Sequence, residues 1–349
     1  MNKNFKRGLA AFIIANSVLT TANIGVLNNN VFATERYAVE SRDFIEKDYN
    51  IIINQCIETG VNHLINKDEG VWYNKDLGDW EALTISTLNK EVPSSYLSNI
   101  TKKIETKDSS LFGEDGKFKS STDCERTIIG IVAAGGDPRN IGGYNLMEDL
   151  CGRHLELDTN LFAHMFGLIA LDCGNFKITA NCNFERIDLV DKILEQEIPS
   201  GGWGWNGTID SDTTTMAIAA LSPYYNDDEY VKESVDKGLA QLSKMQNSDG
   251  EFASTWNPTG SSESVAQTII ALCSIGIDPT DCAMFTKNNK NLLDVLLTYR
   301  TEDGGFAHSK DDLTTLNGMS TEQALRALSS YEKLKSGKEG SIYLMKDFK

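Results

Sequence analysis

Two segments of the chain, 141 residues apart, carry one pattern without a gap, and this repetition constrains the fold more than any other feature. Ser120-Ser121-Thr122-Asp123-Cys124-Glu125-Arg126-Thr127-Ile128-Ile129-Gly130-Ile131 aligns with Ser261-Ser262-Glu263-Ser264-Val265-Ala266-Gln267-Thr268-Ile269-Ile270-Ala271-Leu272. Weaker copies start near Glu81, Phe166, Asp212 and Gln323. Each is an apolar helix with small residues, opened by Ser, Thr or Asp. Amphipathic segments alternate with them at 48–66, 93–106, 144–156, 185–198, 228–246 and 287–299. The pattern predicts an all-α fold of six apolar inner helices and six solvated outer helices. A ring of such pairs encloses a cavity, whereas a linear solenoid of pairs does not, and the repeats alone fit both.

A third element punctuates the repeat. Gly70-Val71-Trp72, Gly116-Lys117-Phe118, Gly201-Gly202-Trp203, Gly250-Glu251-Phe252 and Gly304-Gly305-Phe306 precede the apolar helices. The glycine is expected to end the preceding helix in a left-handed conformation, with the aromatic ring pinning the returning chain to the core.

Composition bounds the partners. The chain has 349 residues and a formal charge of −17. Lys3, Lys6 and Arg7 precede an apolar stretch from Leu9 to Leu27 and then Val31-Phe32-Ala33. That order reads as a signal peptide over 1–33, cleaved after Ala33, which places the mature protein outside the cell or on its surface. A retained anchor is the alternative, and Asn16, Thr20 and Asn23 interrupt it. Loss of the leader's basic residues makes the chain still more acidic, so nucleic acid and anionic membrane surfaces are excluded as partners. A lead-in over 34–47, the helical repeat over 48–335 and a tail over 336–349 complete the organisation. Of seven cysteines none forms a Cys-x-x-Cys. Cys173 with Cys182 and Cys273 with Cys282 are spaced for two local bridges, and buried free thiols are the alternative.

Gln246-Asn247-Ser248-Asp249-Gly250-Glu251-Phe252 resembles the Gln-x-x-Asp-Gly-x-aromatic repeat of squalene and other terpene cyclases, and Arg300-Thr301-Glu302-Asp303-Gly304-Gly305-Phe306 is a near copy. Similar repeats occur in protein prenyltransferase β-subunits and more loosely in corrinoid carriers of the intrinsic-factor type. The resemblance spans about 48–335 and implies closure into an α6/α6 toroid with a central cavity. It leaves the activity open, because one fold hosts several functions.

Class II terpene cyclases protonate an alkene with the middle Asp of Asp-x-Asp-Asp. Here Asp210-Ser211-Asp212-Thr213 puts Asp212 in the acid's place, Asp210 beside it, and Thr213 where the last Asp belongs. Helix capping explains Asp212 without catalysis, and Asp123, Asp158, Ser262 and Thr321 at equivalent positions fit the same role. A prenyltransferase zinc site is not supported by the spacing around Asp281-Cys282 or Asp123-Cys124, nor a thioester by Cys124-Glu125-Arg126. Neither a metal nor any other cofactor is expected.

Aligning the repeats puts Leu83, Arg126, Phe166, Met216, Gln267 and Gln323 at one inner-helix position, which predicts a lumen half apolar and half polar. Trp205 and Trp256 are expected at its mouth as ligand contacts, whereas Trp72 and Trp203 anchor loops. The sequence favours a cavity that binds a large hydrophobic, isoprenoid-like or corrinoid-like molecule, served by a separate surface or transporter protein. A cyclase using Asp212 is the enzymatic alternative, and an interaction module with a filled core a third.

Overall fold

The structure, a computed structural model, describes residues 49–66, 76–155, 159–253, 259–338 and 340–345. The expected signal peptide over 1–33 and lead-in over 34–47 lie outside the described residues, as do Trp72, Asp158 and Trp256.

Twelve α-helices alternate along the described chain. The odd ones are α1 (Tyr49–Asn66), α3 (Ser94–Glu105), α5 (Leu146–Cys151), α7 (Arg186–Glu195), α9 (Glu229–Met245) and α11 (Leu292–Leu297). The even ones are α2 (Asp79–Thr87), α4 (Ser121–Ala133), α6 (Leu161–Asp172), α8 (Ser211–Leu221), α10 (Ser262–Ser274) and α12 (Gly318–Lys335). One antiparallel ribbon, β1 (Gly204–Trp205) with β2 (Thr208–Ile209), precedes α8. All six expected apolar helices and all six amphipathic ones are present, although α5 and α11 are shorter than their patterns.

The two sets differ in burial as their sequences require. On α9 the buried Val231, Val235, Leu239 and Leu242 form one stripe, while Lys232, Glu233 and Lys237 face solvent. Fully burying each such side chain contributes about 1.5–3 kcal/mol, enough to order a helix whose other face is polar. Every residue of α10 is buried, and on α8 every residue except Asp212. Small residues allow this: a Cβ on Gly130 of α4 would lie 2.9 Å from the Asp79 backbone of α2.

The order of packing is cyclic. Helix α2 packs on α4, α4 on α6, α6 on α8, α8 on α10, α10 on α12, and α12 on α2. Helices α5, α7, α9 and α11 lie against an even neighbour and α1 against both α12 and α2, while Tyr96 of α3 donates to Asp79 of α2 at 2.6 Å. Hydrogen bonds join the first and last pairs directly: Thr59 Oγ1 donates to the Gly304 carbonyl at 2.8 Å, Ser329 Oγ to the Thr87 carbonyl at 2.8 Å, and Thr84 Oγ1 to Glu322.

The Gly-x-aromatic segments form one turn repeated four times. In each, a backbone N–H donates to the carbonyl four residues on, Gly113 to Lys117, Ile198 to Gly202, Asn247 to Glu251 and Thr301 to Gly305. The glycine three residues along has positive φ in every copy: Gly116 at 73°, Gly201 at 99°, Gly250 at 86° and Gly304 at 89°. The aromatic that follows is buried, as with Trp203 and Phe306, both at 0% exposure. The glycine is therefore a turn residue and not a helix cap as expected: α9 already ends at Gln246, whose φ of −66° and ψ of 126° leave the helix four residues before Gly250. The aromatic is held by the next inner helix in two copies, where Trp203 N and Phe306 N each donate to a threonine hydroxyl, Thr214 and Thr321, at 2.9 Å.

Candidate functional site

The caps of the even helices fix a common register. Ser120, Asn160, Asp210, Ser261 and Asn317 each accept a hydrogen bond from a backbone N–H of the first turn, and Gly78 occupies the same place before α2. These are the caps, one to four residues before the expected Asp123, Asp212, Ser262 and Thr321. Six residues beyond each cap stand Thr84, Arg126, Phe166, Met216, Gln267 and Gln323. Leu83 was thus one residue out of register, because α2 starts at Asp79, and Leu83 is fully buried. Two residues beyond each cap stand Trp80, Thr122, Phe162, Asp212, Glu263 and Met319. Residues four apart share a helix face, so both sets line one side of the inner helices.

Along α2, α6 and β1 this face is aromatic. Trp80 meets Phe166 edge to face with centroids 5.5 Å apart, Phe166 lies 5.7 Å from Phe162, and Phe162 lies 5.7 Å from Trp205, which is 57% exposed. Met216 follows on α8, buried. On α10 and α12 the face is polar: Gln267 Nε2 donates to Gln323 Oε1 at 2.8 Å. Arg126 pairs with Asp123 and donates from Nε to the Thr122 carbonyl at 3.2 Å. One turn deeper, buried Arg326 lies over the Trp80 ring at 5.0 Å and 3.2 Å from Glu322.

The acidic pair separates into two roles. Asp210 is the cap: its Oδ1 accepts from Thr213 N and from Thr213 Oγ1, both at 2.7 Å. Capping therefore does not explain Asp212, the one exposed residue of α8. Ser264 Oγ of α10 donates to Asp212 Oδ1 at 2.7 Å, and Ser211 Oγ approaches the same oxygen at 3.3 Å. The carboxyl is reachable by solvent yet enclosed closely enough that desolvation raises its pKa, and the negative charges of Asp210 and Glu263 push the same way against the serine bonds. On α10, Glu263 accepts from Ser320 Oγ at 2.6 Å and lies 2.9 Å from His308 Nδ1. A proton retained on Asp212 would sit on Oδ2, away from both hydroxyls.

Sequence reasoning missed Phe162 and Glu263 as members of this face. Stepping four residues toward the N-terminus from the aligned position would have found both. Among the described residues no group of three or more His, Cys, Asp and Glu side chains is placed to hold a metal ion, and no helix is long and apolar enough to cross a membrane.

No family model and no curated protein matches the sequence. Solved structures match it at low identity. A substituted form of the type II terpene cyclase MstE from Scytonema, in complex with geranylgeranyl dihydroxybenzoate, superposes with a TM-score of 0.57 at 12% identity, over 82% of this chain and 99% of that one. The apo enzyme gives 0.55 at 13% identity over 81% and 99%. A protein from Actinoplanes gives 0.53 at 14% identity over 80% and 99%. These likenesses establish the architecture, and the chain has a terpene-cyclase-like fold.

Proposed function

We propose that the chain is an acid-initiated cyclase acting on a polyene of isoprenoid type, with Asp212 as proton donor, and that its helices form an α6/α6 toroid around the substrate. Cyclic packing supports the toroid, since a linear stack would leave α12 and α2 at opposite ends. The observation that carries the reaction is Asp212 itself. It is the single exposed residue of an otherwise buried helix, released from capping by Asp210, with a raised pKa and an aromatic wall beginning on the neighbouring α6.

In this reading Asp212 Oδ2–H gives its proton to a terminal C=C bond, whose π electrons form the new C–H bond and leave a tertiary cation. The next double bond attacks that cation to close a ring. Trp80, Phe166, Phe162 and Trp205 form one chain of ring contacts on this face, and ring faces turned to a cation would stabilise it by about 0.5–2 kcal/mol each. Loss of a proton to a base or water restores an alkene, so the net change is isomerisation and needs no cofactor.

The charges favour an uncharged substrate. Arg126 is paired with Asp123, Arg326 with Glu322, and Lys310 with Glu251 at 2.5 Å, while Asp210 and Glu263 place negative charge beside Asp212. A diphosphate headgroup would meet carboxylates there.

The test is incubation of the mature protein with squalene and with geranylgeraniol, followed by mass-spectrometric product analysis. Cyclic isomers are expected, with Asp212→Asn losing about 10²-fold or more in rate and Asp210→Asn, which keeps a capping oxygen, retaining most of it. Polyene bound but returned unchanged by both wild type and Asp212→Asn would instead support the carrier.

A further inference from the structure

We infer that Cys151 and Cys182 form a disulfide in the mature protein, tying the end of α5 to the segment that leads into α7. No two of the seven cysteines are bonded in the structure. Of the first spaced pair, Cys173 is fully buried, its thiol donating to the Ala170 carbonyl at 3.2 Å, and Cys182 interacts with Cys151 instead.

Backbone geometry sets up this pairing. Asn183 N donates to the Cys151 carbonyl at 3.0 Å, and Asn183 Nδ2 donates to the Gly152 carbonyl at 3.0 Å. These two bonds hold residues 182 and 183 alongside 151 and 152. With the backbones so joined, the Cys151 and Cys182 thiols are close enough to interact, the neighbourhood a disulfide requires. Burial, with Cys182 adding to it, pushes the Cys151 thiol up to about 12.

Access is one-sided. Cys182 lines a surface cavity of about 520 Å³ with Ile178, Phe184 and Arg186, whereas Cys151 is buried behind it. The accessible Cys182 thiolate therefore attacks an external disulfide first, forming a mixed disulfide and expelling one small thiol. Cys151 then displaces the second small thiol and closes the bond. Two protein thiols are oxidised and one external disulfide is reduced to two thiols. An exported chain meets such oxidants; a chain kept in a reducing compartment would not form the bond without added oxidant. The site is independent of the proposed reaction.

The test uses the full mature chain, exposed to oxidised glutathione, then denatured, alkylated with iodoacetamide and analysed by mass. Five alkylated cysteines and a linked peptide containing Cys151 and Cys182 are expected. Seven alkylated cysteines, or a bridge between any other pair, would overturn the assignment. As a second reading, reduction should lower the melting temperature of the oxidised wild type by roughly 5–10 °C, since the bond closes a loop of moderate length. Cys182→Ser should show no such change, and an equal shift in both proteins would also count against the bridge.

Discussion

Asp210 and Asp212 stand two residues apart and differ in what they do. Asp210 spends its Oδ1 on Thr213, whereas Asp212 is exposed on an otherwise buried helix and, among the described residues, accepts from the hydroxyls of Ser264 and Ser211. A carboxyl whose pKa is raised on folding binds its proton more tightly in the native state. Its contribution to stability is fully present below the ordinary carboxylate value and is lost as pH rises through the raised one. The same sign applies to the proposed chemistry, which needs the protonated form. We therefore expect kcat/KM for polyene cyclisation to be flat on the acid side and to fall about tenfold per pH unit above the raised pKa of Asp212. A pH–rate profile checks this, and a rate that rises with pH through that range would identify a base in place of an acid. The sequence placed both aspartates in the motif but left Asp212 divided between cap and acid. The ambiguity was physical, because Ser, Thr and Asp all cap, and only backbone geometry shows which of Asp210, Ser211 and Asp212 precedes the helix.

At the scale of elements, the repeated turn is the device that returns each outer helix to the next inner one. Gly304 has a φ of 89°, and a Cβ there would lie 3.0 Å from the Thr59 side chain of α1, whose hydroxyl donates to the Gly304 carbonyl. Gly304→Ala is expected to cost about 1–3 kcal/mol in chemical denaturation, because both the backbone region and the contact oppose the methyl group. A smaller loss than at a surface glycine such as Gly337, which also has positive φ but open space around it, would contradict this account. The twelve helices were legible from hydrophobic pattern alone, because inner and outer helices differ so strongly in polarity. The turn was not. Gly-x-aromatic marks a special conformation, but the bond from residue i to the carbonyl of i+4 leaves no trace in residue type. The register of α2 was missed for a related reason: Gly78 caps without a side-chain signal.

For the whole molecule, contacts between the first and last helix pairs make the inner face a shared product of all six repeats. Trp80 near the N-terminus touches Phe166 and lies beneath Arg326, while Thr84 donates to Glu322. Repetition in the sequence predicted equivalent positions but could not say that the ends meet, and so left ring and solenoid open. It also could not rank catalyst above carrier, since both need an aromatic cavity. What separates them is whether Asp212 transfers a proton. The most direct measurement is turnover of an uncharged polyene in D₂O with product analysis by mass and deuterium NMR. A cyclic product carrying one deuteron at the terminal carbon that Asp212 protonates is expected, and none from Asp212→Asn. Polyene recovered unchanged, or the same labelled product from Asp212→Asn, would contradict it.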